Sequence, residues 1–142
     1  MPIRSEFRKF YNCPEWREAR KRILKRARNR CEQCGKPNHR KVWVYRGVAG
    51  QYWTLVKGSL TQKWRYCGLG GVEGNFKLFG SQWAKARRIR VLLNVAHLNH
   101  KLGDDRDENL KALCQWCHLN YDKIEHAETR KRRKDAARPL LT

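Results

Sequence analysis

Two helical segments flanking a run of short strands give this chain an α+β reading. Apolar residues recur at helical spacing near both ends, while the middle is split by glycines into aromatic and β-branched runs. Two C-x-x-C pairs lie on either side of that middle, 80 positions apart (114 − 34 = 80). A length of 142 residues suits one domain. It divides into a first zone (1–38), a β-rich zone (39–90), a third zone (91–134) and a short tail (135–142).

The first zone centres on NCPEWREARKRILKRARNRCEQCG. Pro14 suits the first helical position and Glu15 the electropositive first turn. Trp16, Ala19, Ile23, Leu24 and Ala27 repeat at helical spacing, and Arg17, Arg20, Lys21, Lys25, Arg26 and Arg28 cover the remaining face. An amphipathic helix with a basic outer side is expected.

In the β-rich zone, VWVY, QYWTLV, KWRY and FKLF read as short strands. Trp43, Trp53, Trp64 and Trp83 fall here among many cations. They suit the core of a small β subdomain, or a surface on which bases stack. Cys67 has no partner at metal spacing and reads as a buried free thiol.

The third zone opens with RRIRVLLNVAHLNH, in which Ile89, Val91, Leu93 and Val95 alternate as in a half-buried strand and carry His97 on the same face. KLGDDRDEN is a polar loop, NLKALCQWC a knuckle, and HLNYDKIEHAETRKRRK a helix whose terminal cations suit its dipole.

Charge narrows the partner. With 33 Lys+Arg against 13 Asp+Glu the chain carries +20, an excess that repels itself unless a polyanion is the working partner. Nucleic acid is expected, and a membrane is not. No apolar run approaches the roughly 18 residues of a spanning helix, and MPIRSEFRKFYN has no apolar core of a secretory signal. A reducing cytoplasm is expected, where six cysteines argue for metal rather than disulfides.

Cys31, Cys34, Cys114 and Cys117 make a four-thiolate set suited to tetrahedral, structural Zn²⁺. The β-rich zone is then an insertion whose ends lie close together, tolerable because loop closure costs only logarithmically more with length. No βαβ pattern surrounds the pairs, which argues against redox motifs. Cys13 is spare. With the thiolates consumed, His118 and Asp122 at i and i+4 on a helix project from one face, a spacing fit to grip one ion. An imidazole and a carboxylate with open positions suit Mg²⁺, Mn²⁺ or another divalent ion.

CEQCG, VAHLNH and ENLKALCQWCHLNYD together resemble an HNH endonuclease of the ββα-metal (His-Me finger) type, nearest the phage-associated variety with a four-cysteine zinc. The likeness covers roughly Cys31 to Asn38 and Val91 to His126, with the first helix also similar; the middle zone is not covered. It implies a small zinc-stapled ββα-metal nuclease core carrying a basic N-terminal helix and an inserted short-stranded β segment. His97, Asn109 and His118 fill the H, N and H positions.

The resemblance implies one-metal phosphodiester hydrolysis. His97 acts as general base on the attacking water, and an ion held by His118 and Asp122 stabilises the departing 3′ oxygen. Asn109 orients the loop or joins the metal shell. One position departs from the pattern: many members carry Asp or His before the first histidine, and here stands Ala96. Either the ion has fewer protein ligands, or His100 moves in, or His97 itself binds metal. His126 reads as a helix-surface residue, and His39 has no assigned role.

Arg17, Arg20, Lys21, Lys25 and Arg28, with Arg130, Lys131, Arg132 and Arg133, are the expected phosphate contacts on double-stranded DNA. One such site cuts one strand, so a double-strand break needs a homodimer or two visits. Phage packaging proteins are further candidate partners, and a phage-encoded chain would work in the bacterial host cytosol. The rival reading is a non-catalytic zinc-stapled nucleic-acid-binding module. Another is a basic structural protein of a ribonucleoprotein or phage assembly. The binding module accounts for the charge and the cysteines but leaves His97, Asn109, His118 and Asp122 as coincidence.

Overall fold

The structure, a computed structural model, describes residues 5–47, 50–55, 65–67 and 85–138, and only the backbone of Arg65–Cys67. FKLF, Trp64, Trp83, the Cys67 side chain and Pro139 lie outside the described residues.

After a short 3-10 turn, α1 (Arg8–Asn12) leads into α2 (Pro14–Arg26). Cys13, spare as a ligand, has a job here: its Sγ accepts from the Trp16 amide at 3.4 Å and caps α2, with Pro14 in the first turn. Trp16, Ala19 and Ile23 form the buried stripe, as the spacing requires. The helix stops at Arg26, and Arg28 and Asn29 take left-handed φ values of 52° and 55° that turn the chain into the first knuckle. Arg28 therefore lies beyond the helix face on which the spacing had put it.

Arg26 also leaves that face. Its guanidinium grips Glu32 through two bonds of 3.0 and 2.9 Å, and donates to the carbonyls of Asp107 and Leu110 at 2.7 Å each. Donating to the Glu32 carboxylate holds its pKa above the ordinary arginine value. One side chain thereby ties α2 to the knuckle and to the second ribbon.

The β-rich zone forms an antiparallel sheet of β1 (Lys41–Arg46), β2 (Gln51–Leu55), β3 (Arg65–Cys67) and β4 (Arg87–Arg90), in the order β3-β2-β1-β4. Its ends meet at a narrow neck: the His39 amide donates to Val91 O at 2.8 Å, and the Val91 amide to Arg40 O at 2.9 Å. The inner face is anchored by Trp53, 1% exposed, whose Nε1 donates to Cys34 O at 3.1 Å. Judged by the cost of truncating such residues, that burial contributes about 3–5 kcal/mol. Trp53 is thus core, packed against the first cysteine knuckle.

The run from Arg87 to His97, expected as one strand, is split between two sheets. β4 closes the large sheet, and β5 (Leu93–His97) pairs instead with β6 (Leu110–Cys114), in register from Leu93↔Cys114 to His97↔Leu110. Side chains take over the backbone's hydrogen bonds at the break. Asn38 Oδ1 accepts from Leu93 N at 3.0 Å, while Gln115 accepts from Leu92 N and donates to Arg90 O. The alternation survives the break, so Val91, Leu93, Val95 and His97 are all buried.

β6 runs directly into α3 (Gln115–Ala136), which places Cys114 at its cap and Cys117 in its first turn. The architecture is α+β, with two small sheets and three α-helices among the described residues. No described helix is long and apolar enough to cross a membrane.

Candidate active site and metal centre

The two knuckles converge. The sulfurs of Cys31, Cys34, Cys114 and Cys117 all lie within 4.8 Å of one another, with Cys34 Sγ and Cys114 Sγ 3.7 Å apart. In a tetrahedral shell with zinc–sulfur bonds of about 2.3 Å, neighbouring sulfurs stand about 3.8 Å apart. The cluster therefore fits a metal ion such as zinc. Its electrostatics point the same way, since four thiols this close cannot all ionise without a cation. Hydrogen bonds from Cys114, Cys117 and Cys34 drive the Cys31 thiol strongly down. Cys117 pulls Cys114 down as well, but Cys31 and Cys34 and burial push it up on balance. Lys36, fully buried, brings its Nζ to 3.7 Å from Cys114 Sγ and donates to Gln51 at 2.5 Å. A cation beside the sulfurs offsets the negative charge that four thiolates keep around a divalent ion. All four cysteines that the spacing pairs lie in this one cluster, whereas Lys36 carries no spacing signal.

A second group of donors gathers where α3 begins. His118 Nε2 lies 3.3 Å from Asp122 Oδ2, the i,i+4 pair expected on one helix face. His100 approaches from the loop after β5, its Nδ1 3.8 Å from Asp122 Oδ1. His100 takes a left-handed φ of 56°, and its ring stacks on Tyr121 at 5.4 Å and 19°. Tyr121 in turn donates its hydroxyl to Leu98 O. Two imidazoles thus flank one carboxylate, and of the alternatives left open by Ala96, His100 is the one that lies beside Asp122. His126 is exposed further along the helix.

His97 ends β5 and is 8% exposed. Its Nε2 lies 2.8 Å from Asp105 Oδ1, its ring stacks on Trp16 at 4.9 Å and 19°, and Phe10 stands 6.0 Å away. Asp105 is absent from the residues that sequence reasoning singled out. It is one of four carboxylates in GDDRDEN, and spacing alone does not say which of them turns inward.

Asn109 is buried, and its amide is spent on the loop. Nδ2 donates to Asn99 Oδ1 at 3.0 Å and to Asp104 O at 2.8 Å, while Oδ1 accepts from Asn99 N at 3.0 Å. Both amide hydrogens are used, which gives Asn109 an orienting part rather than a place among metal donors. Asp104 completes the brace: hydrogen bonds from Arg106 pull its carboxyl down to about 2.

Comparison of the chain with protein families, curated proteins and solved structures finds no match. Function therefore rests on these side chains. Arg17, Arg20, Lys21 and Lys25 are exposed along α2, and Arg28 beyond it. Arg130, Lys131, Arg132 and Arg133 are exposed near the end of α3, with Arg132 3.5 Å from Glu125.

Proposed function

We propose that this chain is a metal-dependent DNA endonuclease that hydrolyses phosphodiester bonds by a one-metal HNH mechanism, on a ββα-metal core stapled by zinc. The observation that carries the reading is the junction of two sets of groups. The turn in which the His100 amide donates to His97 O at 3.1 Å links a buried, carboxylate-bound imidazole to the His100–Asp122–His118 donors.

In this mechanism His97 accepts the proton of the attacking water as its oxygen bonds to phosphorus and the bond to the 3′ oxygen breaks. The departing 3′ oxygen takes a proton from solvent water, so the products carry 5′-phosphate and 3′-hydroxyl ends. His118 and Asp122, joined by His100, would hold a divalent ion such as Mg²⁺ or Mn²⁺. When bound, it supplies positive charge to the scissile phosphate and the departing oxygen. Asn109 keeps the loop between His97 and β6 in shape. The exposed cations of α2 and α3 bind the backbone of double-stranded DNA.

Supercoiled plasmid incubated with the purified protein should become open-circular with Mg²⁺ or Mn²⁺ and stay supercoiled with EDTA. Asp122→Ala should require much more metal, because hard cations need their oxygen ligands. Protein that binds the plasmid but never nicks it, whatever divalent ion is supplied, is instead a non-catalytic nucleic-acid-binding module.

Binding should be mostly electrostatic and weakly sequence-selective. Each phosphate contact removed from the clusters Arg17–Lys25 or Arg130–Arg133 should flatten the log–log salt dependence by about one unit. A cluster whose neutralisation leaves that slope untouched lies off the DNA path.

A further inference from the structure

We propose that Asp105 is the positioning residue for His97, holding the proton on Nε2 so that the lone pair of Nδ1 faces solvent as the proton acceptor. The catalytic half of this rests on the nuclease reading above; the tautomer half does not.

A carboxylate only accepts, so an imidazole nitrogen 2.8 Å from Asp105 Oδ1 must supply the hydrogen when the ring is neutral. That nitrogen is Nε2. Nδ1 has no hydrogen-bond partner among the described residues, and no buried side-chain nitrogen or oxygen there lacks one, so Nδ1 reaches solvent. The two constraints on the ring divide the work. Stacking on Trp16 at 4.9 Å and 19° fixes its plane but would tolerate a half-turn about the Cβ–Cγ bond. The bond to Asp105 selects one of the two flipped states.

Asp105 is itself held on both sides of the chain. Asn109 Nδ2 donates to the carbonyl of Asp104, and the Asp104 carboxylate takes Asn99 and a two-bond grip from Arg106. The buried asparagine thus acts on the histidine at one remove, through the loop that presents Asp105.

The test reads the tautomer directly. ¹⁵N NMR of the zinc-loaded protein, at a pH where His97 is neutral, should show hydrogen on Nε2 and a bare Nδ1. In Asp105→Asn, whose amide can also donate, the two tautomers should mix. Melting should stay near the parental value, while kcat for plasmid nicking falls about 10²–10⁴-fold with KM little changed. Asp105→Glu should restore the Nε2–H form and part of the rate. A parental His97 protonated on Nδ1, or an Asp105→Asn protein with the parental tautomer and kcat, overturns the proposal. Parental protein that holds the Nε2–H form but never cleaves DNA overturns the nuclease reading, and leaves the grip of Asp105 on His97 standing.

Discussion

Cys117→Ser, and equally Cys34→Ser, should abolish the native fold. The expected size follows from two magnitudes. Binding at a structural zinc site supplies about 10–16 kcal/mol of folding free energy, whereas a domain's whole stability is about 5–15 kcal/mol. The geometry leaves no slack. Cys114 and Cys31 are 0% and 3% exposed, and the Cys114 amide donates to Cys31 Sγ at 3.3 Å, so a lost ligand leaves sulfurs stranded in the core. Circular dichroism should show the loss, and metal analysis should find one zinc per parental chain. Well-folded, zinc-free protein at micromolar concentration would refute the staple.

His97→Ala should lower plasmid cleavage by about 10²–10⁴-fold, the contribution of a positioned general base. Affinity for DNA should barely move, because a side chain so deeply buried has little surface to offer phosphate. Since His97 also packs on Trp16, the variant's melting curve must be read beside its rate. A folded His97→Ala protein that cuts at the parental rate means the base is another group.

Much of the architecture was legible because the chain obeys local rules. Pro14 starts α2, the apolar spacing of Trp16, Ala19 and Ile23 buries one stripe, and the paired cysteines fix where the chain must return. The rest depended on partners distant in sequence. Arg26 reads as one more cation on a basic face until Leu110, 84 positions on, supplies a carbonyl for it. The break after Arg90 is set by Asn38 and Gln115, neither of which marks a strand end by type. At the candidate site, His118 and Asp122 follow from helical spacing, and His100 was visible as a stand-in for the residue missing at Ala96. Asp105 was not, because choosing among Asp104, Asp105, Asp107 and Glu108 needs the conformation of the loop.

The long separation of the two knuckles has a consequence in time. A ribosome adds roughly 5–20 residues per second, so the 80 positions from Cys34 to Cys114 take roughly 4–16 s to synthesise. Throughout that interval the nascent chain holds half of its thiolates and none of the partners that close the cluster. The ribbon bearing His97 is paired by β6, which ends at Cys114 itself, so it too waits for the late cysteines. A growing chain of this protein therefore carries the Cys31–Cys34 knuckle open until Cys114 and Cys117 emerge, and the ribbon that holds His97 is completed in that same short interval.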